Sequence, residues 1–191
     1  MKGNYLTLSA SIIVLFLFCS LNVTGQQVIN PKKGYSTQVG VVISMMEDLK
    51  RRVTNSVQNL NQEETDFLLD SMANRPGAII FHLAAVEKYY QVYTFENRGF
   101  NEVEKKKWGV ALDLGQLSRD SLINNPIDYY LEIWNEVRKE TLKLLKQKDD
   151  KWFKKKIKGS NMNNHWAWYH VMEHQANHMG QIRLILKRIP K

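Results

Sequence analysis

Cysteine is almost absent from this sequence. The 191 residues include one cysteine, four prolines and ten glycines. A single cysteine excludes an intramolecular disulfide framework and a metal site built from several thiolates. The scarcity of proline and glycine excludes collagen-like and low-complexity chains, and a hydrophobic content of 43% argues against a disordered chain. The composition therefore indicates a compact globular protein.

The first 25 residues have the organisation of a secretory signal peptide. Lys2 precedes an apolar stretch over residues 6–23, and small residues lead to a cleavage site that we predict after Gly25. Lipoprotein cleavage before Cys19 is disfavoured because residues 16–18 are bulky. The apolar stretch is nearly long enough to span a bilayer, so an uncleaved N-terminal anchor is the alternative. With cleavage, we expect an exported protein, periplasmic or extracellular, with no stable membrane insertion.

The mature chain is expected to form one domain over residues 26–191. It contains no internal repeat and no linker long enough to divide it. Removal of residues 1–25 leaves 26 basic and 19 acidic residues, a formal charge of +7 without any cysteine. The basic runs at residues 105–107 and 154–156 are typical of solvated surface. Export makes DNA or RNA an improbable partner, and we expect no nucleic-acid binding.

Apolar residues recur at steps of three and four along four long segments, which predicts four amphipathic helices. These helices are expected over approximately residues 36–60, 76–94, 127–148 and 164–187. Residues 97–125 have weak periodicity interrupted by glycines, which predicts an irregular segment with at most one short helix, and residues 149–163 form a charged connection. No segment alternates as a β-strand does. The pattern predicts an all-α, antiparallel four-helix bundle, whose core commonly holds metal sites.

Four of the five histidines lie within fourteen residues of the predicted last helix. At about 100° per residue, one stripe of this helix contains His170, His174 and His178. Gln181, one turn after His178, lies on the same stripe, whereas His165 points away from it. Imidazoles at positions i and i+4 can converge on one cation. Two such ligands do not make a tight site, so a third ligand must come from another helix.

His82 is the one remaining histidine, and it lies early in the predicted second helix. A single histidine on an apolar helix is usually a packed core or boundary residue, and this is the simplest interpretation of His82 taken by itself. Its occurrence together with the His174-x-x-x-His178 pair, which Gly180 and Gln181 follow, favours a shared metal site.

Two segments carry a family resemblance. Residues 77–87, GAIIFHLAAVE, and residues 168–182, WYHVMEHQANHMGQI, resemble the DinB-like superfamily of helical-bundle metalloproteins, which includes thiol transferases that use bacillithiol or mycothiol. Residues 39–60 and 128–145 resemble its first and third helices more weakly. The resemblance implies that His82, His174 and His178 bind a divalent metal ion, with nickel, zinc and manganese all represented among its members.

Several neighbouring residues are candidates for supporting roles. Gln181 is expected to accept a hydrogen bond from a ligating imidazole, and His170 is either a support or substrate contact or a boundary histidine. Glu87 and Glu173 are expected to be exposed helix charges rather than catalytic acids or bases. Tyr89 and Tyr93 follow His82 on its stripe and either line a pocket or pack in the core; the second interpretation is the more common for such spacing.

Two function hypotheses follow from an open three-histidine site. The first is an exported metal-dependent enzyme, a thiol transferase or a hydrolase, in which the ion activates a thiol or water for attack on a small molecule. The second is a non-enzymatic protein that holds a metal or a small ligand on the same fold. The sequence leaves the substrate undetermined and a homodimer open.

Overall fold

The structure is a computed structural model that describes residues 28–190. Within this range the chain is helical apart from turns, loops and one isolated bridge between Lys156 and Asn163. The helices are α1 Thr37–Val57, α2 Gln62–Thr65, α3 Pro76–Phe95, α4 Glu102–Leu112, α5 Gly115–Ser121, α6 Ile127–Leu145, α7 Asp150–Lys154 and α8 Asn164–Leu186. The predicted signal peptide and its cleavage site lie outside the described residues. None of these helices is both long enough and apolar enough to cross a membrane.

The four long helices α1, α3, α6 and α8 pack together as a bundle. Helix α3 contacts α6 and α8, and α1 contacts the same two helices. Their bounds agree with the predicted segments to within a few residues. The all-helical fold class is therefore confirmed, and the four predicted helices are the ones that enclose the core.

Contacts between α3 and α6 show that these two helices run in the same direction. The Phe81 ring lies 6.4 Å from the ring of Tyr130, near the start of α6, whereas Gln91, further along α3, bonds to Thr141, near the end of α6. A parallel neighbour requires a long return connection. Residues 96–126, which contain α4 and α5, supply it.

Helices α3 and α8 run in opposite directions. His82 lies against His174, whereas Tyr90, further along α3, lies against His170, earlier in α8. The antiparallel packing predicted for this pair is thus observed. The parallel α3–α6 pair departs from a simple up-and-down bundle.

The segment at residues 97–125 is more regular than predicted. It contains two helices, α4 and α5, where at most one short helix was expected. Helix α4 begins with a capping box, in which the Asn101 side chain accepts from the Glu104 amide and the Glu104 carboxylate accepts from the Asn101 amide. Because a cap acts locally, it stabilises a helix start that hydrophobic periodicity does not reveal.

Glu87 is fully buried at the centre of the bundle, so its predicted exposure is wrong. Its carboxylate accepts from Arg138 through two nitrogens, from the Trp134 indole, from the Thr141 hydroxyl and from the Gln175 amide. The physical reason is that residues 76–87 of α3 are all buried, so this part of the helix has no solvent face. A buried carboxylate persists only when it is paired and hydrogen-bonded, as here.

Candidate metal centre

Three histidines from two helices converge between α3 and α8. The Nε2 atom of His174 lies 3.1 Å from Nε2 of His82 and 3.2 Å from Nε2 of His178. The ligand atoms of all three residues lie within 4.8 Å of one another. The structure therefore brings together the three residues that the sequence singled out, across the α3–α8 interface.

The tautomers of His82 and His178 are fixed by oxygen acceptors. The main-chain carbonyl of Ala111, in the last turn of α4, accepts from Nδ1 of His82 at 2.6 Å. The side-chain oxygen of Gln181 accepts from Nδ1 of His178 at 2.9 Å. Because a carbonyl oxygen has no proton to donate, each Nδ1 carries the proton and each Nε2 presents a lone pair.

This arrangement fits a divalent metal ion. If His82 and His178 both present lone pairs, one proton on Nε2 of His174 satisfies only one of its two close nitrogen contacts. A cation between the rings would accept the lone pairs of all three Nε2 atoms. Two nitrogens that are each about 2.0–2.1 Å from a tetrahedral ion lie roughly 3.3–3.4 Å apart. The separations of 3.1 and 3.2 Å in the structure are close to that value.

Burial keeps the three imidazoles neutral. It lowers the pKa of His82, and it lowers the pKa of His174 to about 3 and that of His178 to about 4, with neighbouring histidines adding to the shift in the latter two. Neutral imidazole is the form that coordinates a metal. The site is therefore ready to bind a cation at neutral pH without first losing protons.

The same shifts predict how the metal-free protein responds to acid. A folded-state pKa below the ordinary value of 6.5 means that the unfolded chain binds more protons, so stability is lost as pH falls. We expect the free energy of unfolding in chelator to decrease between about pH 6.5 and pH 4. Urea denaturation across this range measures it. His174→Gln should lose less stability over the same interval, and an equal loss in both proteins would contradict the assignment.

Gln181 and His170 have different places relative to the triad. The Gln181 side chain accepts from the His178 ring of the triad. His170 bonds instead to Glu173 through Nδ1 at 3.1 Å, stacks on Trp166, and lies one ring away from His174, with 5.7 Å between centroids. The Ala111 carbonyl could not be predicted from the sequence, because every residue type has a main-chain carbonyl.

Removing the Gln181 acceptor is expected to weaken metal binding. Gln181→Leu leaves Nδ1 of His178 without its partner in the protein and frees the ring to rotate. Loss of such partners typically reduces metal affinity by about 10- to 100-fold. Titration with zinc in competition with a chromogenic chelator measures the change. Asn177→Leu is the matched control, because Asn177 is also exposed on α8 but bonds to Glu173. Equal affinities of the two variants would remove Gln181 from the site.

The fold and the triad define the class of this protein as a helical-bundle protein with a candidate metal site. The sequence model of the mycothiol-S-transferase family matches residues 41–189. This range contains His82, His174 and His178 and covers most of the chain, and the chain therefore belongs to the mycothiol-S-transferase family. No curated protein matches the chain. The resemblance to the DinB-like superfamily is confirmed at the level of the family.

Proposed function

We propose that this protein is an exported, metal-dependent transferase that joins a low-molecular-weight thiol to an electrophilic small molecule. The observation that carries the proposal is the convergence of three imidazole nitrogens from α3 and α8, two of them fixed as lone-pair donors. Membership of a family of thiol transferases supports the reaction type.

A divalent ion held by the three histidines would supply Lewis-acid chemistry that lowers the pKa of a bound thiol or water, so that a nucleophile forms near neutral pH. The chain itself contributes orientation. Ala111 and Gln181 hold two of the rings, and three neutral ligands leave the full positive charge of the ion available. The chain has no cysteine after Cys19, so no cysteine of the domain can act as nucleophile.

The donor set bears on the identity of the metal. Imidazole nitrogens suit zinc and nickel, whereas manganese prefers carboxylate and water oxygens. Among the described residues, the triad includes no carboxylate. We therefore expect zinc or nickel rather than manganese.

The test is metal analysis of the purified protein, followed by turnover assays with thiols and electrophiles, with and without chelator. Thiol consumption that requires both metal and electrophile supports the transferase. Metal-dependent ester or amide cleavage without thiol would identify the hydrolase instead. Stoichiometric metal with no turnover on either substrate class would favour the second candidate, a non-enzymatic binding protein on the same fold.

Export is the other part of the proposal, and it rests on the composition of residues 1–25. We expect the exported protein to begin at Gln26. N-terminal sequencing of the protein from a bacterial expression host, after fractionation, measures this. Intact residues 1–25 in the membrane fraction would show an anchor. An exported enzyme would require a thiol available outside the cytoplasm.

A further inference from the structure

Aromatic rings extend from the histidine triad along the outside of the α3–α8 interface. The set, which we call the aromatic strip, consists of Tyr89, Tyr90 and Tyr93 on α3 and of Trp166 and His170 on α8. His170 stacks on Trp166 with centroids 5.1 Å apart and planes at 10°, and it meets Tyr90 edge to face at 5.8 Å. Tyr90 in turn contacts Tyr89 at 5.7 Å and Tyr93 at 6.3 Å. The strip is continuous with the triad because His170 is 5.7 Å from His174.

The strip keeps accessible ring surface and free polar groups. Trp166 is 46% exposed, and the other four members are half-buried. Among the residues that the structure describes, none of the three tyrosine hydroxyls hydrogen-bonds to another protein group, although Tyr35 and Tyr130 do. A phenol with the ordinary tyrosine pKa of 10.0 is a protonated donor at neutral pH, and burial raises the pKa of Tyr89 and Tyr90 further. Tyr89 and Tyr90 pack against the hydrophobic core on one side. A cluster that belonged wholly to the core would bury its rings and pair its hydroxyls.

Charge restricts what this surface can bind. An aromatic surface can also attract organic cations. Here a divalent ion at the adjacent triad would repel a cation, and the Glu173 carboxylate beside the strip already accepts from His170 and Asn177. The surface therefore suits a flat ring that is uncharged or anionic and that carries acceptors for the tyrosine hydroxyls.

We propose that the aromatic strip binds the electrophilic substrate through a flat aromatic group, uncharged or anionic, and places its reactive carbon toward the triad. The reaction in this inference rests on the proposed function, whereas the binding of the aromatic group does not. In the reaction, the thiolate sulfur bonds to the substrate carbon, the leaving group departs with its bonding electrons, and the thiol proton goes to solvent.

Equilibrium dialysis with 1,3-dinitrobenzene, a flat, neutral and unreactive probe, tests the binding in the metal-free and zinc-loaded protein. Trp166→Leu and Tyr90→Leu should each weaken binding by about tenfold, the loss expected for one stacking ring. Tyr129→Leu is the matched control, because Tyr129 is 44% exposed on α6 and lies outside the strip. Circular dichroism verifies that each variant is folded.

The outcomes separate this inference from the proposed function. Unchanged dialysis binding in folded Trp166→Leu and Tyr90→Leu would overturn the strip, even if thiol transfer is observed. Binding that depends on the strip, in a protein without any turnover, would leave the strip standing and overturn the transferase. Tighter binding of N-methylquinolinium than of 1,3-dinitrobenzene by the zinc-loaded protein would overturn the assignment of charge. If the transferase stands, the same variants should raise KM for an aromatic electrophile more than they lower kcat.

Discussion

Alanine in place of any one of His82, His174 and His178 is expected to remove most of the affinity for a divalent metal. The three Nε2 atoms would hold one cation as a unit, so the loss should be similar for the three variants and exceed about a hundredfold. The imidazoles come from two helices, and metal should therefore also raise the thermal midpoint of the wild type through its preferential binding to the folded state. Competition titration with zinc and a thermal scan with and without chelator measure both effects.

His165→Ala is the internal control for this series. His165 lies on the same helix, but it stacks on Phe153 with 4.9 Å between centroids, away from the triad. Its replacement should leave zinc affinity near that of the wild type. Should His82→Ala bind zinc as well as His165→Ala does, the three-histidine site is wrong and His82 is a packed core residue.

Loss of the Glu87 carboxylate should strongly destabilise the fold. Glu87→Ala leaves the Arg138 guanidinium buried without its main partner, and removing one member of a buried ion pair typically costs about 3–5 kcal/mol. The Trp134 indole and the Thr141 hydroxyl lose an acceptor as well. Urea denaturation of the metal-free protein measures the change in the free energy of unfolding without a contribution from metal binding.

The comparison is with an exposed ion pair in the same bundle. Glu136 and Lys139 of α6 form such a pair, with side chains 70% and 72% exposed. Glu136→Ala should change the free energy of unfolding by no more than about 1 kcal/mol, as is usual for surface pairs. Similar values for Glu136→Ala and Glu87→Ala would show that the Glu87 network contributes little to stability.

The long helices could be predicted from the sequence because each buries one periodic face. The sequence could not show that α3 and α6 run parallel, because direction depends on the path of the connection between them. Helices α4, α5 and α7 were missed because they have only 11, 7 and 5 residues and therefore show little hydrophobic periodicity. Side-chain caps at Asn101 and Asp149 start α4 and α7, whereas α5 begins after Leu114 without a side-chain cap. The position of Glu87 around the helix axis relative to His82 suggested an exposed side chain. This inference fails because residues 76–87 of α3 are buried on every side.

The three histidines of the site could be predicted more readily than the groups that surround them. His174 and His178 identify each other by spacing, and His82 was the only histidine left on another helix. Gln181 could be found because it lies on the same helical stripe. The aromatic strip was seen only in part, through Tyr89 and Tyr93, because Trp166 and His170 join it from a helix whose register against α3 the sequence does not give.

The carbonyl partner of His82 bears on how this centre can diverge among relatives. Every residue type has a main-chain carbonyl, so position 111 can change within the limits of its buried space without loss of the bond to His82. Position 181 must keep a side-chain acceptor to serve His178. In an alignment of relatives, the residue type should therefore be conserved at position 181 and variable at position 111. What selection must preserve around Ala111 is the length and path of the chain that brings the end of α4 to His82, so insertions or deletions there should be rarer than substitutions.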